Sequence, residues 1–444
     1  MKEKILSLIE QGKFFEARNE ISNLNVVDAA QLFEEVEQRH ILLVFRILPK
    51  DFSSEVFSYM SFDLQKYVID SMTDEEAIKV LDDLYLDDAV DFLEEMPANV
   101  VKRILKNTDK DMRDLINQFL DYPADSAGSL MTIEYVDLKK EMTVAQALQY
   151  IKRIGIDKRT INTCFVMDQS RILEGRISLR RLILSDETEI IKDIMDTEGV
   201  SVNTHDDQEE VAALFRKYDY YVMPVVDKEN RLVGIITVDD VLDVIDQEAT
   251  EDIQRMAAMR PSEAEYLKTG NWSLTKHRLP WLLVLMISAT FTGGIISRYE
   301  SALQTTIILT AFIPMLMDTG GNSGSQSSSL IIRGLALGQI ETKDFFQVIW
   351  KEFSVGSFSG AILAAVNFLR IYFLEKVDLN IAITVSLTLF VTVVLAKVVG
   401  GILPLAAKRL KMDPAVMAGP LITTIVDAVV LIIYFNLASI FLGI

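Results

Sequence analysis

The sequence predicts a multidomain membrane protein with four parts: an all-α superhelical region, an α/β region of two similar modules, a connecting helix and an α-helical transmembrane domain of five helices. Charge and hydropathy predict this division. Residues 1–270 carry a net charge of −23, whereas residues 271–444 carry +3 and contain the long apolar stretches. A chain of 444 residues also exceeds the usual size of one core. We place the parts at 1–128, 129–246 (modules of about 129–190 and 191–246), 247–272 and 273–444.

The first region contains a short helical repeat, because the pattern of residues 74–84 recurs in residues 87–96. Short amphipathic helices cannot bury their apolar faces alone, so they are predicted to stack into a superhelix with their carboxylates outward. The negative charge repels nucleic-acid phosphates and attracts cations, although solubility alone also explains an acidic surface. Cys164 is the single cysteine, which excludes a disulfide framework within one chain and suits the cytosol.

A second repeat spans residues 129–250. Residues 165–168 followed by 175–178 match residues 225–227 followed by 234–237, and the spacing between the matched segments is the same in both copies. Each copy predicts a strand, a tight turn, a second strand and a helix. This pattern resembles a tandem pair of cystathionine-β-synthase-type (CBS) modules, which are regulatory folds.

The same resemblance suggests a nucleotide site. Thr237 and Asp240 stand where such modules, when they bind adenosine, present an oxygen and a carboxylate to the ribose. The equivalent of Asp240 in the first module is Arg181. At most one half-site for ATP or another adenine nucleotide is therefore expected.

An acidic helix follows the second module, with no stop signal before Pro261. Like charges at helical spacing destabilise a helix by some tenths of a kcal/mol per pair, so a bound cation would relieve them. The alternative is a solvated connecting helix. On one face lie Asp240, Asp243, Gln247 and Glu251, and a second cluster contains Glu248, Glu251 and Asp252.

The apolar stretches after Pro280 predict five membrane crossings, since a helix needs about 20 residues to span the hydrocarbon layer. Lys and Arg in the connecting loops place the N-terminus in the cytoplasm and Ile444 outside. Residues 1–20 predict a charged amphipathic helix and not a secretion signal. The expected localisation is therefore multi-pass in a bacterial inner membrane, with spans near 280–298, 303–332, 354–374, 380–404 and 415–443.

The second span contains an unusual run of Gly, Ser and Asn between Pro314 and Ser329. We expect this backbone to be broken, and irregular backbone survives in a membrane only against protein or a wet cavity. The alternative is close helix packing through small residues. Asn322 and Gln326 add carbonyl oxygens that packing does not require, which favours a pore lining.

The fifth span carries Asp427 and contains no basic residue that could pair with it. An ionisable residue in a membrane span is a functional candidate by default. Thr423 lies four residues earlier on the same helix face, and Thr424 three residues earlier. Carboxylate, hydroxyl and carbonyl oxygens suit a hard ion, and Mg²⁺ would be held through its waters. The alternative is a protonated Asp427 that is hydrogen-bonded inside the bundle.

Several segments together resemble the MgtE family of magnesium channels over nearly the whole chain. The resemblance implies a homodimer in the lipid bilayer, with a pore between two helical bundles and Asp427 of each chain facing the ion path. It also implies that the linking helix near 247–270 plugs the pore when cytosolic Mg²⁺ is high. The segments that carry it are 122–131, 320–322, 333–336 and 419–427.

The resemblance also assigns residues to the sensor. Asp413 matches a membrane-side acid that meets the plug helix through bound Mg²⁺, and Asp91 with Glu95 looks like the share of the helical region. Asp318 stands where the family often carries no acid, and it either adds negative field to the pore or caps a broken helix. The remaining positions implied at the sensor interfaces are Asp240, Asp243, Glu248, Glu251 and Asp252.

The resulting hypothesis is a Mg²⁺ channel that cytosolic Mg²⁺ closes by bridging acids of the helical region, the modules and the plug helix. One alternative is an ion-coupled carrier of Mg²⁺ or Co²⁺, because midplane sites also mark secondary transporters. Another is a membrane-tethered nucleotide sensor without transport. An enzyme is not expected, since the three histidines are scattered and no nucleophile or phosphate-loop motif occurs.

Overall fold

The computed structural model of the chain describes residues 2–262, 266, 267 and 269–443. Parts of the predicted connecting segment and the predicted external residue Ile444 lie outside these residues. The chain divides into two compact units, Met1–Ile245 and Asp246–Ile444.

The first unit begins with consecutive short helices, as the acidic repeat predicts. Each contains eight to ten residues and buries one face, and helix α7 starts with a capping box between Thr73 and Glu76. Phe33, Phe45, Phe57 and Phe92 form a continuous row of edge-on aromatic contacts through the core. The helices are α1 (Lys2–Glu10), α2 (Phe14–Ile21), α3 (Val26–Phe33), α4 (Gln38–Ile47), α5 (Lys50–Ser58), α6 (Phe62–Asp70), α7 (Asp74–Asp82), α8 (Leu86–Glu95), α9 (Ala98–Asn107) and α10 (Lys110–Phe119).

Two α/β modules follow, each with a three-stranded sheet. In both sheets the first strand pairs parallel to the second, and the second pairs antiparallel to the third. The first module contains α11 (Ala127–Leu130), β1 (Val136–Leu138), α12 (Val144–Ile154), a 3₁₀ turn (Gly155–Asp157), β2 (Thr163–Met167), β3 (Leu173–Ser178) and α13 (Leu179–Leu184). The second contains α14 (Ile191–Ile194), β4 (Val202–Asn203), α15 (Gln208–Tyr218), β5 (Val222–Val226), β6 (Leu232–Thr237) and the start of α16 (Val238–Met256).

The internal repeat read from the sequence is confirmed at the turns between the paired strands. Asp168 accepts hydrogen bonds from the backbone N–H groups two and four residues later, and Asp227 does the same. Arg171 and Asn230 occupy equivalent left-handed positions, with φ of 66° and 60°. Matching spacing in the sequence thus reflects matching turn geometry.

Helix α16 ends at Met256, so it stops before Pro261 and is shorter than the predicted connecting helix. The reason is local. Ala258 has a left-handed backbone with φ of 53°, and the side chain of Gln254 exchanges two hydrogen bonds of 2.8 Å with the backbone of Ser262. These bonds satisfy backbone groups that a continuing helix would have used.

The second unit continues with five long helices and short connecting turns. Four of its helices, within the described ranges, are long and apolar enough to cross a membrane. The fifth long helix, α19, contains charged and amide side chains as well as Gly and Ser, and it is not among these four. The elements are α17 (Asn271–Arg298), α18 (Glu300–Thr305), a 3₁₀ turn (Ile307–Phe312), α19 (Ile313–Ala336), a 3₁₀ turn (Thr342–Asp344), α20 (Phe345–Leu369), a π turn (Arg370–Leu374), α21 (Leu379–Arg409), a 3₁₀ turn (Pro414–Met417) and α22 (Gly419–Leu442).

The predicted break in the second span is wrong at the place expected. Helix α19 runs without interruption from Ile313 to Ala336, and the irregular backbone lies before it, in the 3₁₀ turn Ile307–Phe312. A continuous helix pairs its backbone N–H and C=O groups with one another, and the hydrocarbon layer offers these groups no other hydrogen-bond partners. The glycines serve close packing, and helix α19 packs against both α21 and α22.

Gly400 of α21 tests this packing. A Cβ atom at Gly400 would collide with the backbone carbonyl of Gly324 on α19, whereas one at Gly294 on α17 would meet nothing within 4 Å. We expect Gly400→Ala to destabilise the protein by about 1–3 kcal/mol, because backbone atoms cannot move aside. Gly294→Ala should be neutral or stabilising, since alanine favours a helix by up to about 1 kcal/mol. The thermal unfolding midpoint of both purified variants in detergent measures the difference, and equal midpoints would contradict the packing.

Candidate functional site

Helices α19 and α22 approach each other closely beside the predicted pore residues. A Cβ atom on Gly321 would lie 2.8 Å from Cγ2 of Thr423, and one on Gly320 would lie 2.8 Å from Cγ1 of Val426. Only glycine permits this separation, so the packing explanation of the small residues holds for this pair of helices. It does not account for the amides and the carboxylate of α19.

Those polar residues of α19 form a stripe along one face. Asp318, Asn322 and Gln326 follow at intervals of four residues, and all three side chains are exposed in the single chain. Exposed polar groups on a membrane helix are unfavourable against lipid tails and need water or protein beside them. The stripe therefore marks a face of the membrane domain that suits a wet path or a second chain.

Asp427 lies half-buried on α22, and its Oδ1 atom has no hydrogen-bond partner among the described residues. The bonded-carboxyl alternative thus finds no support at this oxygen. The hydroxyls of Thr423 and Thr424 donate to the carbonyls of Gly419 and Pro420, at 3.0 and 2.9 Å. Each threonine hydroxyl keeps lone pairs available as acceptors.

Asp318 is close enough to Asp427 for the two carboxylates to repel each other. Within the described part of the chain, no group of three or more His, Cys, Asp or Glu side chains is placed to hold a metal ion. One chain therefore offers two acids and neutral oxygens here. Such a sparse donor set fits an ion that keeps most of its water, as Mg²⁺ does.

Two buried charges in the membrane helices were not identified from the sequence. Glu352 of α20 accepts a hydrogen bond of 2.5 Å from the hydroxyl of Ser327, and Lys397 of α21 contacts the side-chain oxygen of Gln326 at 3.5 Å. Both charged side chains are less than one-tenth exposed. For Lys397 the available signal was an ionisable residue inside a predicted span, whereas Glu352 lies just before the predicted span 354–374. These bonds fix neighbouring residues of α19 to two other helices.

Most of the acids predicted outside the membrane helices fall into two groups. In the first unit, Asp240 at the start of α16 accepts a hydrogen bond of 2.5 Å from the hydroxyl of Thr237. It also forms an ion pair of 3.2 Å with Arg159. Asp91 of α8 lies within electrostatic range of Asp240, of Asp88 and of Glu95. The predicted residues Asp91, Glu95 and Asp240 are thus brought together, and Arg159 is a member that the sequence did not reveal.

The second group lies in the second unit, around Asp413. Arg255 of α16 forms ion pairs with both Asp413 and Glu251, and Asp252 lies beside them. Burial and the nearby charge of Asp413 raise the pKa of Asp252 from 3.8 to about 6. The end of α16 also packs through Met256 against Ala415 and Ala418.

Asp413 therefore contacts the end of α16 through the guanidinium of Arg255. The contact through bound Mg²⁺ that the resemblance implied stays a prediction. Asp243 and Glu248 lie on α16 between the two groups, and the structure assigns neither to a metal cluster within the described residues.

The predicted nucleotide residues are occupied by each other, because the Thr237 hydroxyl is buried against Asp240. A cavity of about 460 Å³ lies elsewhere between the modules. It is lined by residues of both modules, including Ser178, Arg181 and Tyr221. An adenine nucleotide at Thr237 and Asp240 remains a prediction.

Comparison with known proteins gives a consistent result over the whole chain. Residues 313–437 match the divalent cation transporter family MgtE, residues 24–125 match the MgtE intracellular N domain, and residues 191–247 match the CBS domain. The magnesium transporter MgtE of Thermus thermophilus is 36% identical over 98% of this chain and 97% of its own length. The magnesium transporter MgtE of Bacillus subtilis is 33% identical over 99% and 97%.

A solved structure is similar to the first part of the chain. It is the cytosolic domain of the Mg²⁺ channel MgtE in complex with ATP, with a TM-score of 0.53 and 36% identity. The similarity covers 55% of the present chain and 100% of the chain in the solved structure.

The raised pKa of Asp252 predicts a pH dependence of stability. Its contribution to folding is complete below about pH 4, where the carboxyl is protonated in both states, and is lost as the pH rises through about 6. In EDTA, the thermal unfolding midpoint of the wild type should fall over this range, and Asp252→Asn should flatten the fall. Asp246→Asn, on the same helix and exposed, is the control. Equal pH profiles for Asp252→Asn and the wild type would contradict the assignment.

Proposed function

The chain belongs to the MgtE family of magnesium transporters, and from this premise we propose that it is a Mg²⁺ channel that cytosolic Mg²⁺ closes. The observation that carries the proposal is Asp427, whose Oδ1 atom lacks a hydrogen-bond partner among the described residues, next to the polar stripe of α19. A half-buried carboxylate without a cation is unfavourable in a membrane helix. A passing cation supplies the missing interaction.

Mg²⁺ is the ion that this set of oxygens suits. The donors available are the carboxylate of Asp427, the amide of Asn322 and the hydroxyls of Thr423 and Thr424. Mg²⁺ prefers oxygen ligands and gives up its water reluctantly, so it is held through its waters rather than stripped. The magnesium transporters that resemble this chain over nearly their full length support the choice of ion.

The channel is proposed to be a homodimer. One chain supplies too few acids for a metal site within its described residues, and the stripe at Asp318, Asn322 and Gln326 is exposed in the single chain. A second copy that faces this stripe would double the carboxylates and enclose water between the bundles. With five membrane crossings, the two ends of the membrane domain are proposed to lie on opposite sides, with the N-terminus in the cytoplasm.

Closure is proposed to follow from Mg²⁺ bound among the acids outside the membrane helices. At neutral pH Asp252 is largely ionised beside Asp413, so a divalent ion there relieves repulsion and holds the end of α16 against the segment before α22. Asp91, Glu95, Asp240, Asp243, Glu248 and Glu251 are the further acids proposed to take part. Mg²⁺ shifts the gate only by its preference for the closed arrangement.

An adenine nucleotide is proposed to bind the paired modules. The ATP complex of a similar cytosolic domain supports this, and the cavity lined by Arg181 offers room and positive charge for phosphates. Thr237 and Asp240 hydrogen-bond each other, and on nucleotide binding they are proposed to exchange this bond for bonds to the ribose. No catalytic activity is proposed, because the relatives are named as transporters.

Asp427→Asn tests the pore. It keeps the shape of the side chain but removes the charge, so Mg²⁺ uptake into liposomes containing the purified protein should fall by at least about tenfold, the equivalent of 1.4 kcal/mol. Glu300→Gln, an exposed acid of α18, should transport like the wild type. Uptake that persists without Na⁺ and H⁺ gradients separates a channel from a coupled carrier. A normal Mg²⁺ flux through the Asp427→Asn variant would show that the ion path does not pass Asp427.

Asp413→Asn tests the gate. Removing one carboxylate from the group around Asp252 weakens Mg²⁺ binding there, so the cytosolic Mg²⁺ concentration that halves the current should rise by about tenfold. Excised membrane patches bathed at varied Mg²⁺ on the cytosolic face give this value. Currents in the wild type that ignore cytosolic Mg²⁺ would refute the gate while leaving the pore intact.

A further inference from the structure

Two oppositely charged side chains are buried behind the polar stripe of α19, and the proposed ion path does not use them. Glu352 of α20 is 8% exposed, and Lys397 of α21 is 7% exposed. The hydroxyl of Ser327 donates to Glu352 at 2.5 Å, and the ammonium of Lys397 contacts Oε1 of Gln326 at 3.5 Å. The two charges therefore reach consecutive residues of the same helix.

Glycines make the room that these side chains need between α20 and α21. A Cβ atom on Gly356, one turn after Glu352, would lie 3.6 Å from Cβ of Lys397. A Cβ atom on Gly401, one turn after Lys397, would lie 3.0 Å from Cγ of Glu352. Each helix thus has a glycine beside the charged residue of the other helix. Because charges are costly inside a membrane domain, this fitted arrangement indicates a role for them.

The contact with Lys397 determines which end of the Gln326 amide faces the stripe. A lysine ammonium has three N–H donors and no acceptor, whereas a glutamine amide has an acceptor oxygen at one end and a donor NH₂ group at the other. Only the oxygen can accept a hydrogen bond from Lys397. With Oε1 turned toward α21, the NH₂ group is the part of the exposed Gln326 side chain that is left for the stripe.

Gln326 occupies the end of the stripe that is nearest to the segment before α22. Higher on α19, Gly320 packs against Val426, which is the neighbour of the pore acid. Beyond Gln326, the hydroxyl of Ser328 donates to the carbonyl oxygen of Met417 at 3.2 Å, in the 3₁₀ turn that precedes α22. Gln326 therefore lies between the level of the pore acid and the turn beside the proposed gate.

The direction of this amide matters to a hydrated cation. The waters around Mg²⁺ turn their hydrogen atoms outward, so acceptors hold the hydrated ion and N–H donors do not. Asp427 and Asn322 offer acceptor oxygens, whereas Gln326 with its NH₂ group outward offers none. Conduction requires an ion to be bound strongly enough to enter and weakly enough to leave. A donor between the pore acid and the gate provides a position of weak binding.

We propose that Lys397 is a positioning residue that turns the amide oxygen of Gln326 away from the ion path, so that this end of the stripe binds Mg²⁺ weakly. The proposal rests on the proposed function and deepens it, because it names the side chain that limits how tightly the permeating ion is held. The sequence suggested Gln326 as a source of a carbonyl oxygen for the pore. In this proposal Gln326 presents a donor instead.

Mg²⁺ uptake into liposomes that contain the purified full-length variants tests the coupling between the two residues. In Lys397→Met the amide is free to turn its oxygen to the path. The Mg²⁺ concentration for half-maximal uptake should then fall by about fivefold, the ratio that one added hydrogen bond gives. Lys397→Arg, which also carries only donors, should restore the wild-type value. Lys351→Met, at an exposed lysine of α20, is the control and should behave as the wild type.

A second substitution separates positioning from the charge of the ammonium. With methionine at position 326 no amide can turn, so Gln326→Met and the double variant Gln326→Met with Lys397→Met should share one half-maximal concentration. A fall that persists in the double variant shows that Lys397 acts through its charge alone, and it overturns the proposal. A Lys397→Met variant without any fall overturns it as well.

The contact itself is measured in the wild-type chain, with every side chain in place. Lysine is labelled with ¹⁵N at Nζ and glutamine with ¹³C at Cδ, and solid-state NMR detects the dipolar coupling between them. A coupling that is present in the wild type and lost in Lys397→Arg is expected, and its absence from the wild type overturns the proposal. This measurement involves no transport, so a lack of Mg²⁺ flux with the coupling intact would refute the proposed function and leave the contact established.

Discussion

Carboxylates withdrawn from water are the constraint on which this structure depends. Removing a carboxylate from solvent without a positive partner is unfavourable by several kcal/mol, so each such group needs a cation or a proton. Asp87 and Asp240 lie beside Arg159, and Asp413 lies beside Arg255. Asp427 has no such arginine or lysine contact within the described residues. The difference separates acids that the chain balances itself from one that suits a mobile ion.

This division of cations gives the regulatory acids a graded character. A guanidinium is attached to the chain, so its effective concentration at the contact is fixed, whereas bound Mg²⁺ depends on its concentration in solution. Where an arginine already neutralises a group, Mg²⁺ has less repulsion to relieve. Burial raises the pKa of Asp252 to about 6 although Arg255 is near, and burial likewise raises the pKa of Asp88 to about 6 although Arg159 is near. Both groups of acids are therefore expected to respond to Mg²⁺.

Local patterns in the sequence predicted much of the fold. The shared spacing from Asp168 and from Asp227 to the following strand predicted two modules, because a turn that an aspartate caps is a short-range structure. The lengths of the apolar stretches predicted the membrane helices. Asp427 and Thr423 were then predicted as site residues because both lie in the fifth stretch. The prediction of a broken helix was wrong because glycine content alone does not reveal whether a neighbouring helix fills the space beside each glycine. At Gly321 this space is filled by Thr423.

The sequence by itself determined the division into an acidic half and a membrane half, the module repeat and the acidic residues that need a positive partner. Composition and near-neighbour spacing govern all three. Only the tertiary structure decided which of these acids already have a positively charged partner within the chain. Arg159 reaches Asp240 across 81 residues, and Arg255 reaches Asp413 across 158. Ion pairs of this kind depend on chain segments that folding alone brings together, and no local pattern encodes them.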